Sequence, residues 1–199
     1  MFIQVIKGRA KNPPALRKHM DRWRDELAPG ADGWLGATAG VTDDGDFIAI
    51  VRFESEERAR RSSERAEQTR WWNDFSANLE GEATFLDSTD AELWMNGGSD
   101  DAGFVQVIQG RAKDPKAVRD LFAEDEASQP DNRPDVLGGT IAWHEGGLFT
   151  NTVYFTSEKE ARRGEANPTP EEQESMRRWM ELVDNVSYTD LRDPWFTSA

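Results

Sequence analysis

The chain has 199 residues, of which 37% are hydrophobic and 31% charged, a balance that supports a buried core beneath a well-solvated surface. Asp and Glu outnumber Lys and Arg by 38 to 24, and the net charge of −14 repels phosphate backbones and anionic headgroups, so neither nucleic acid nor a membrane is an expected partner. There is no cysteine, which excludes disulfides, thiolate metal sites and cysteine nucleophiles.

The opening "MFIQVIKG" goes straight into a strand-like alternation, with no charged and then apolar leader, and no apolar run approaches the ~20 residues that span a bilayer. The expectation is a soluble, cytoplasmic protein. The stretch "FIQVIKGRAKNP", residues 2–13, returns as "FVQVIQGRAKDP", residues 104–115, with nine of twelve residues identical at an offset of 102. Between the copies, "NGGSDDAG" at 96–103 reads as a flexible linker. The expected organisation is a first repeat at 1–95, a linker at 96–103 and a second repeat at 104–199.

In chain order, residues 2–8 alternate as a half-buried strand. Pro13 and Pro14 open a helix, since proline is tolerated in the first turn. The inward face of this helix is Leu16, Met20, Trp23 and Leu27, spaced four, three and four apart. The second copy keeps Val118 and Phe122 on that face but sets Asp125 and Gln129 where Trp23 and Leu27 stand, which predicts a shorter or differently packed helix. "WLGATAGVT" and "DFIAIVRF" form a hairpin around Asp43-Asp44-Gly45-Asp46, and "LGGTIAWH" and "LFTNTVYF" repeat it. A second helix follows Ser55, and its counterpart is capped by Ser157 with Glu160. That counterpart breaks at Asn167-Pro168 and restarts at Thr169. The last strands are placed at 83–87 and 186–191.

Each copy thus reads β-α-β-β-α-β, a four-stranded antiparallel sheet with its helices on one face. The other face is left partly apolar and needs cover. The fold expected is α+β, with two ferredoxin-like units packed sheet to sheet as an intramolecular pseudo-dimer. A short linker makes such pairing effective by raising the local concentration to the millimolar range.

The pattern of "FIQVI" and "FVQVI" strands, with "IVRFESEERARR" and "VYFTSEKEARR" running from third strand into second helix, resembles the dimeric α+β barrel superfamily. Within it, the chain is similar to the antibiotic-biosynthesis-monooxygenase-like branch, here as a tandem fusion. The resemblance implies a ligand pocket between sheet and helices of each unit, or near the barrel lumen. It also implies chemistry of the cofactor-independent monooxygenase kind on a small hydrophobic aromatic metabolite, with a non-catalytic ligand-binding or structural barrel as the alternative. Haem-degrading relatives take an axial histidine from the second helical region; residues 55–80 and 157–185 contain none, so no cofactor is expected.

Candidate ligand-binding residues are the mid-strand amides Gln4 and Gln106, together with Arg52 and Tyr154, which occupy equivalent places on the third strand. Phe47, Val51 and Phe53 form the more constantly apolar face and are assigned to the helices, so that Arg52 and Tyr154 would line the barrel interior. An arginine there would anchor a carboxylate or phenolate. His19 and His144 are the only histidines, and His144, at the end of a strand beside a Gly-rich turn, is the candidate general base. Of the eight tryptophans, Trp72 pairs with Trp179 and Trp94 with Trp195 between the copies. Phosphate-binding, nucleophile-elbow and zinc-helix motifs are absent, the Asp43-Asp44-Asp46 cluster lacks the later Glu of a calcium loop, and no metal site is expected.

Overall fold

The computed structural model describes residues 1–198, and of residues 127–132 the backbone course alone. The chain forms two compact units, Met1–Ala91 with Asp193–Ala199, and Glu92–Arg192.

The first unit runs β1 (Phe2–Ala10), α1 (Pro13–Arg22), β2 (Trp34–Val41), β3 (Asp46–Phe53), α2 (Glu56–Ser63), α3 (Ala66–Ser76) and β4 (Leu79–Ser88). Then β5 (Asp90–Met95) leads into the second unit: β6 (Phe104–Ala112), α4 (Pro115–Asn132), β7 (Val136–Trp143), β8 (Leu148–Phe155), α5 (Glu158–Ala166), α6 (Pro170–Leu182) and β9 (Val183–Leu191), with β10 (Trp195–Ser198) last. The sheets are ordered β10-β2-β3-β1-β4 and β5-β7-β8-β6-β9. Four strands of each sheet have the ferredoxin-like order. The fifth is exchanged: the segment after the first repeat's last strand joins the second unit's sheet, and the segment after the second repeat's last strand joins the first unit's, with Trp195 opposite Ala39.

Leu16, Met20, Trp23 and Leu27 are all buried in one cluster with Trp71 and Phe75 from α3 and with Phe2, Phe47 and Phe53 from the sheet. The four-three-four spacing therefore marks the inward stripe, and the Phe47 face of β3 is the helix face, as read from its apolarity. Beyond Arg22 the helix widens into a π turn at Trp23–Leu27, where the Ala28 N–H donates to the Trp23 carbonyl. The turn at Thr42 to Asp46 closes the first hairpin through Thr42 N–H to the Asp46 carbonyl at 2.9 Å.

The second helical region is divided in both units, not only after Asn167. Its starts are capped by side chains: Ser55 accepts from the Arg58 N–H, Ser157 from the Glu160 N–H while the Glu160 carboxylate turns to Arg163, and Thr169 and Glu172 bond each other's backbone in a full capping box. One expectation is corrected. The helix after Pro115 is not shorter than its counterpart: α4 has 18 residues, and the first unit's helical course, which begins with α1, runs on through the π turn to Gly30. Loss of the apolar stripe does not end a helix whose continuation, Ala123-Glu124-Asp125-Glu126, holds mostly good helix formers. Asp125 packs differently from Trp23, as described below, and the Gln129 side chain lies outside the described residues.

Candidate functional site

Each unit holds a cavity between its helices and its sheet. In the second unit the cavity measures about 640 Å³, within the range of small-molecule sites. Strand alternation supplies its floor: Gln106 and Ile108 from β6 with Phe149, Asn151 and Val153 from β8. Phe122, Asp125 and Glu126 of α4 and Ser175 and Trp179 of α6 form the roof.

The exchanged strand β5 adds a wall. The Trp94 indole N–H donates to Asn151 Oδ1 at 3.1 Å. Its ring lies so close over Gly139 that a β-carbon there would sit 2.3 Å from two ring carbons, so that the position admits glycine alone. At the end of the strand, Glu126 accepts the backbone N–H of Met95, whose φ of 50° is an uncommon one for a residue with a side chain.

Two polar groupings face each other across sheet and roof. On the sheet, Gln106 Nε2 donates to Asp190 Oδ1 at 2.9 Å, and the other Asp190 oxygen receives the Arg162 guanidinium, which also meets Glu165 at 3.0 Å. The amide is thereby fixed in orientation with its carbonyl oxygen outside that bond. On the roof, Ser175 Oγ donates to Asp125 Oδ2 at 2.6 Å. Burial pushes the Asp125 carboxyl above the usual carboxylate range, against the Ser175 hydrogen bond and the charge of Arg178, which pull it down.

The first unit's cavity, about 540 Å³, is built differently. Trp23 stands where Asp125 stands in the second copy. Its indole N–H is satisfied by Gln68 Oε1 at 2.7 Å, and its ring meets Trp34 edge-on at 4.8 Å. Ala49 replaces Asn151. Gln4 keeps the amide-to-carboxylate bond, to Asp87 at 2.9 Å, but Arg60, the counterpart of Arg162, pairs with Glu64 at 2.8 Å instead.

Of the residues selected from sequence, Gln4 and Gln106 each line the cavity of their own unit. Arg52 and Tyr154 alternate with the helix-facing residues of β3 and β8 and line neither cavity. Tyr154 is fully buried, and Arg52 has its Nε buried without a hydrogen-bond partner. His144 lies just beyond β7, with Nε2 3.0 Å from Thr150 Oγ1, itself on the Tyr154 face. His19 packs edge-on to Phe75 at a centroid distance of 6.4 Å. Neither histidine lines either of these two cavities. The residue the sequence reading passed over is Asp125. Its signal was present as a carboxylate on the inward stripe of a helix, at the position where the other copy carries tryptophan.

These features define a class: a tandem pair of ferredoxin-like α+β units, each with a cavity between helices and sheet. Solved structures share the fold along the whole chain. A candidate monooxygenase from Fusobacterium nucleatum superposes with a TM-score of 0.79 at 10% identity, covering 99% of this chain and 94% of its own. A candidate monooxygenase from Lactobacillus acidophilus gives 0.76 at 12% identity over 99% and 96%. A ferredoxin-fold protein from Listeria monocytogenes, described as related to antibiotic biosynthesis monooxygenases, gives 0.53 at 11% identity over 100% and 95%. At such identities the likeness establishes the fold. No protein-family model and no curated protein matches the sequence.

Proposed function

We propose that the second unit binds a small, hydrophobic aromatic molecule in its cavity and that Asp125 removes a proton from it, initiating a cofactor-independent oxygenation. The observation that carries this reading is the half-buried carboxylate of Asp125 in an aromatic-lined cavity, held by Ser175 and made more basic by burial. A raised carboxyl pKa makes a stronger base.

An aromatic substrate with an activated CH₂ group transfers a proton from carbon to Asp125, leaving a carbanion delocalised over the rings. Molecular oxygen, the co-reactant, takes up the electron pair and forms a C–O bond as a peroxide anion. Protonated Asp125 returns the proton to give the hydroperoxide. Loss of water then leaves a carbonyl where the CH₂ stood, so one O₂ is consumed and one H₂O released. The chain contributes position and a base. Phe122, Phe149 and Trp179 offer apolar walls to the rings, and the Gln106 amide, fixed by Asp190 and Arg162, offers a hydrogen bond to a ring oxygen. The full-length structural neighbours named as candidate monooxygenases support this choice of chemistry.

The test is a thermal-shift screen with polycyclic quinols, anthrones and flavonoids, followed by oxygen uptake on any hit. Ligand at 100 times its Kd adds ~2.7 kcal/mol, a rise of roughly 5–10 °C. Asp125→Asn is expected to keep the shift and to lose oxygen uptake by at least 100-fold. Oxygen uptake unchanged in Asp125→Asn refutes the assignment of the base. A bound ligand with no uptake in the wild-type protein leaves a binding protein without the chemistry.

A further inference from the structure

We infer that Asn151, held in place by Trp94, determines which ligand the second unit accepts: with Gln106 it forms a donor–acceptor pair that selects an aromatic molecule bearing a carbonyl and a hydroxyl on one edge. The inference rests on the reading of that cavity as a ligand site and is independent of the role given to Asp125.

The two amides are neighbours on the cavity floor. Where β6 pairs with β8, Ile108 lies opposite Asn151 and Gln106 opposite Val153. Gln106 and Asn151 are therefore diagonal on one face, with β-carbons about 7 Å apart. Each side chain is more than nine-tenths buried, Gln106 at 6% exposure and Asn151 at 8%, and each spends one end of its amide within the protein. An indole N–H can only donate, so the bond from Trp94 fixes Asn151 Oδ1 as the acceptor and leaves Nδ2 as a donor. A carboxylate can only accept, so the bond to Asp190 fixes Gln106 Nε2 as the donor and leaves Oε1 as an acceptor. Among the described residues neither Asn151 Nδ2 nor Gln106 Oε1 has a hydrogen-bond partner, and neither atom is sealed from the cavity.

A donor and an acceptor so deeply placed are costly to leave unpaired, so an aromatic ligand that lacks either partner is penalised. The cationic anchors of the lining are already engaged, Arg119 with Glu92, Arg133 with Asp135 and Arg162 with Asp190. The Trp179 indole nitrogen makes no hydrogen bond but is covered, and Glu171 and Tyr188 are exposed rather than set in the floor. The first unit lacks the pair. Ala49 stands at the place of Asn151 there, and Trp195, the counterpart of Trp94, is not part of that cavity's lining.

Three flat bicyclic compounds, titrated calorimetrically into the full chain in mildly acidic buffer, read the two amides separately. 7-Hydroxycoumarin carries a carbonyl and a hydroxyl a comparable distance apart on one edge; coumarin keeps the carbonyl alone and 2-naphthol the hydroxyl alone. 7-Hydroxycoumarin is expected to bind about tenfold more tightly than either. Asn151→Leu should weaken 7-hydroxycoumarin and coumarin about tenfold and leave 2-naphthol within about twofold, a pattern that general loss of structure does not produce. Gln106→Leu should do the reverse, sparing coumarin and weakening 2-naphthol. Trp94→Phe keeps a ring over Gly139 but removes the N–H that orients Asn151. It should narrow the preference for 7-hydroxycoumarin over 2-naphthol about threefold, an independent check should Asn151→Leu fail to fold. Equal affinity for the three compounds, or the same loss of all three in a folded Asn151→Leu, overturns the inference and leaves the cavity as a ligand site. No saturable binding by any of them overturns the inference together with that reading.

Discussion

Positions 23 and 125 occupy the same place in the two repeats, and alanine there should have opposite consequences. Trp23 is 7% exposed, packed against Trp34 and Trp71, and bonded to Gln68. Removing it deletes a large ring from a close-packed cluster and leaves Gln68 without its donor, a loss of about 3–5 kcal/mol. In a chain of this length that corresponds to a fall in melting temperature of roughly 6–20 °C. Asp125 is half-buried, and burial already disfavours its charge. Asp125→Ala removes one hydrogen bond from Ser175, about 1 kcal/mol, and relieves the burial of the carboxylate, so the net change should lie within about 1 kcal/mol. Urea and thermal unfolding followed by circular dichroism read both values. A loss of 3 kcal/mol or more in Asp125→Ala, or of less than 1 kcal/mol in Trp23→Ala, refutes the reading of one residue as core and the other as site.

The pH dependence follows from the same carboxyl. Because burial raises the Asp125 pKa, the folded chain holds that proton to higher pH than the unfolded chain, and stability falls as pH rises from the ordinary carboxylate range through the raised one. Asp125→Asn should therefore be more stable than wild type at neutral pH, the gain disappearing towards low pH; a gain that grows on acidification sinks this account. Gly139→Ala should cost ~1–3 kcal/mol, since its β-carbon would meet the Trp94 ring at 2.3 Å and the Thr152 carbonyl at 2.5 Å, and calorimetry of the variant checks it. Arg162→Ala should weaken ligand binding in the second unit at least fivefold by releasing Asp190 and Gln106, whereas Arg60→Ala, whose partner is the exposed Glu64, should change it by less than twofold. Titration of each variant with the same hit from the screen decides.

The repeated units were legible because their signals are local. The Leu16, Met20, Trp23 and Leu27 stripe, the alternation along residues 2–8, the Asp-Gly turn and the Thr169 cap all lie within a few residues of what they determine. Two features were not. The strands at 90–95 and 195–198 are short, and their partners, β7 and β2, are distant in sequence; nothing in "DAELWM" or "WFTS" states which sheet receives it. The environment of Asp125 depends on Ser175, 50 positions away on α6, so the helix pattern showed a carboxylate on the inward stripe but not the hydroxyl that holds it. Arg52, Tyr154 and His144 are polar residues on or beside strands, and alternation alone does not tell which face of a strand borders a cavity.

The exchanged fifth strands have a consequence for how the duplication can be taken apart. A fragment ending in the 96–103 segment carries β5, for which its own sheet has no place, and lacks β10, whose absence bares the hydrogen-bonding edge of β2. Each half is therefore both short of a strand and holding one in surplus. Two identical first halves would satisfy that mismatch by trading tails, so the severed repeat should behave as a reciprocal dimer rather than a monomer, and the intact gene reads as that trade made permanent within a single polypeptide.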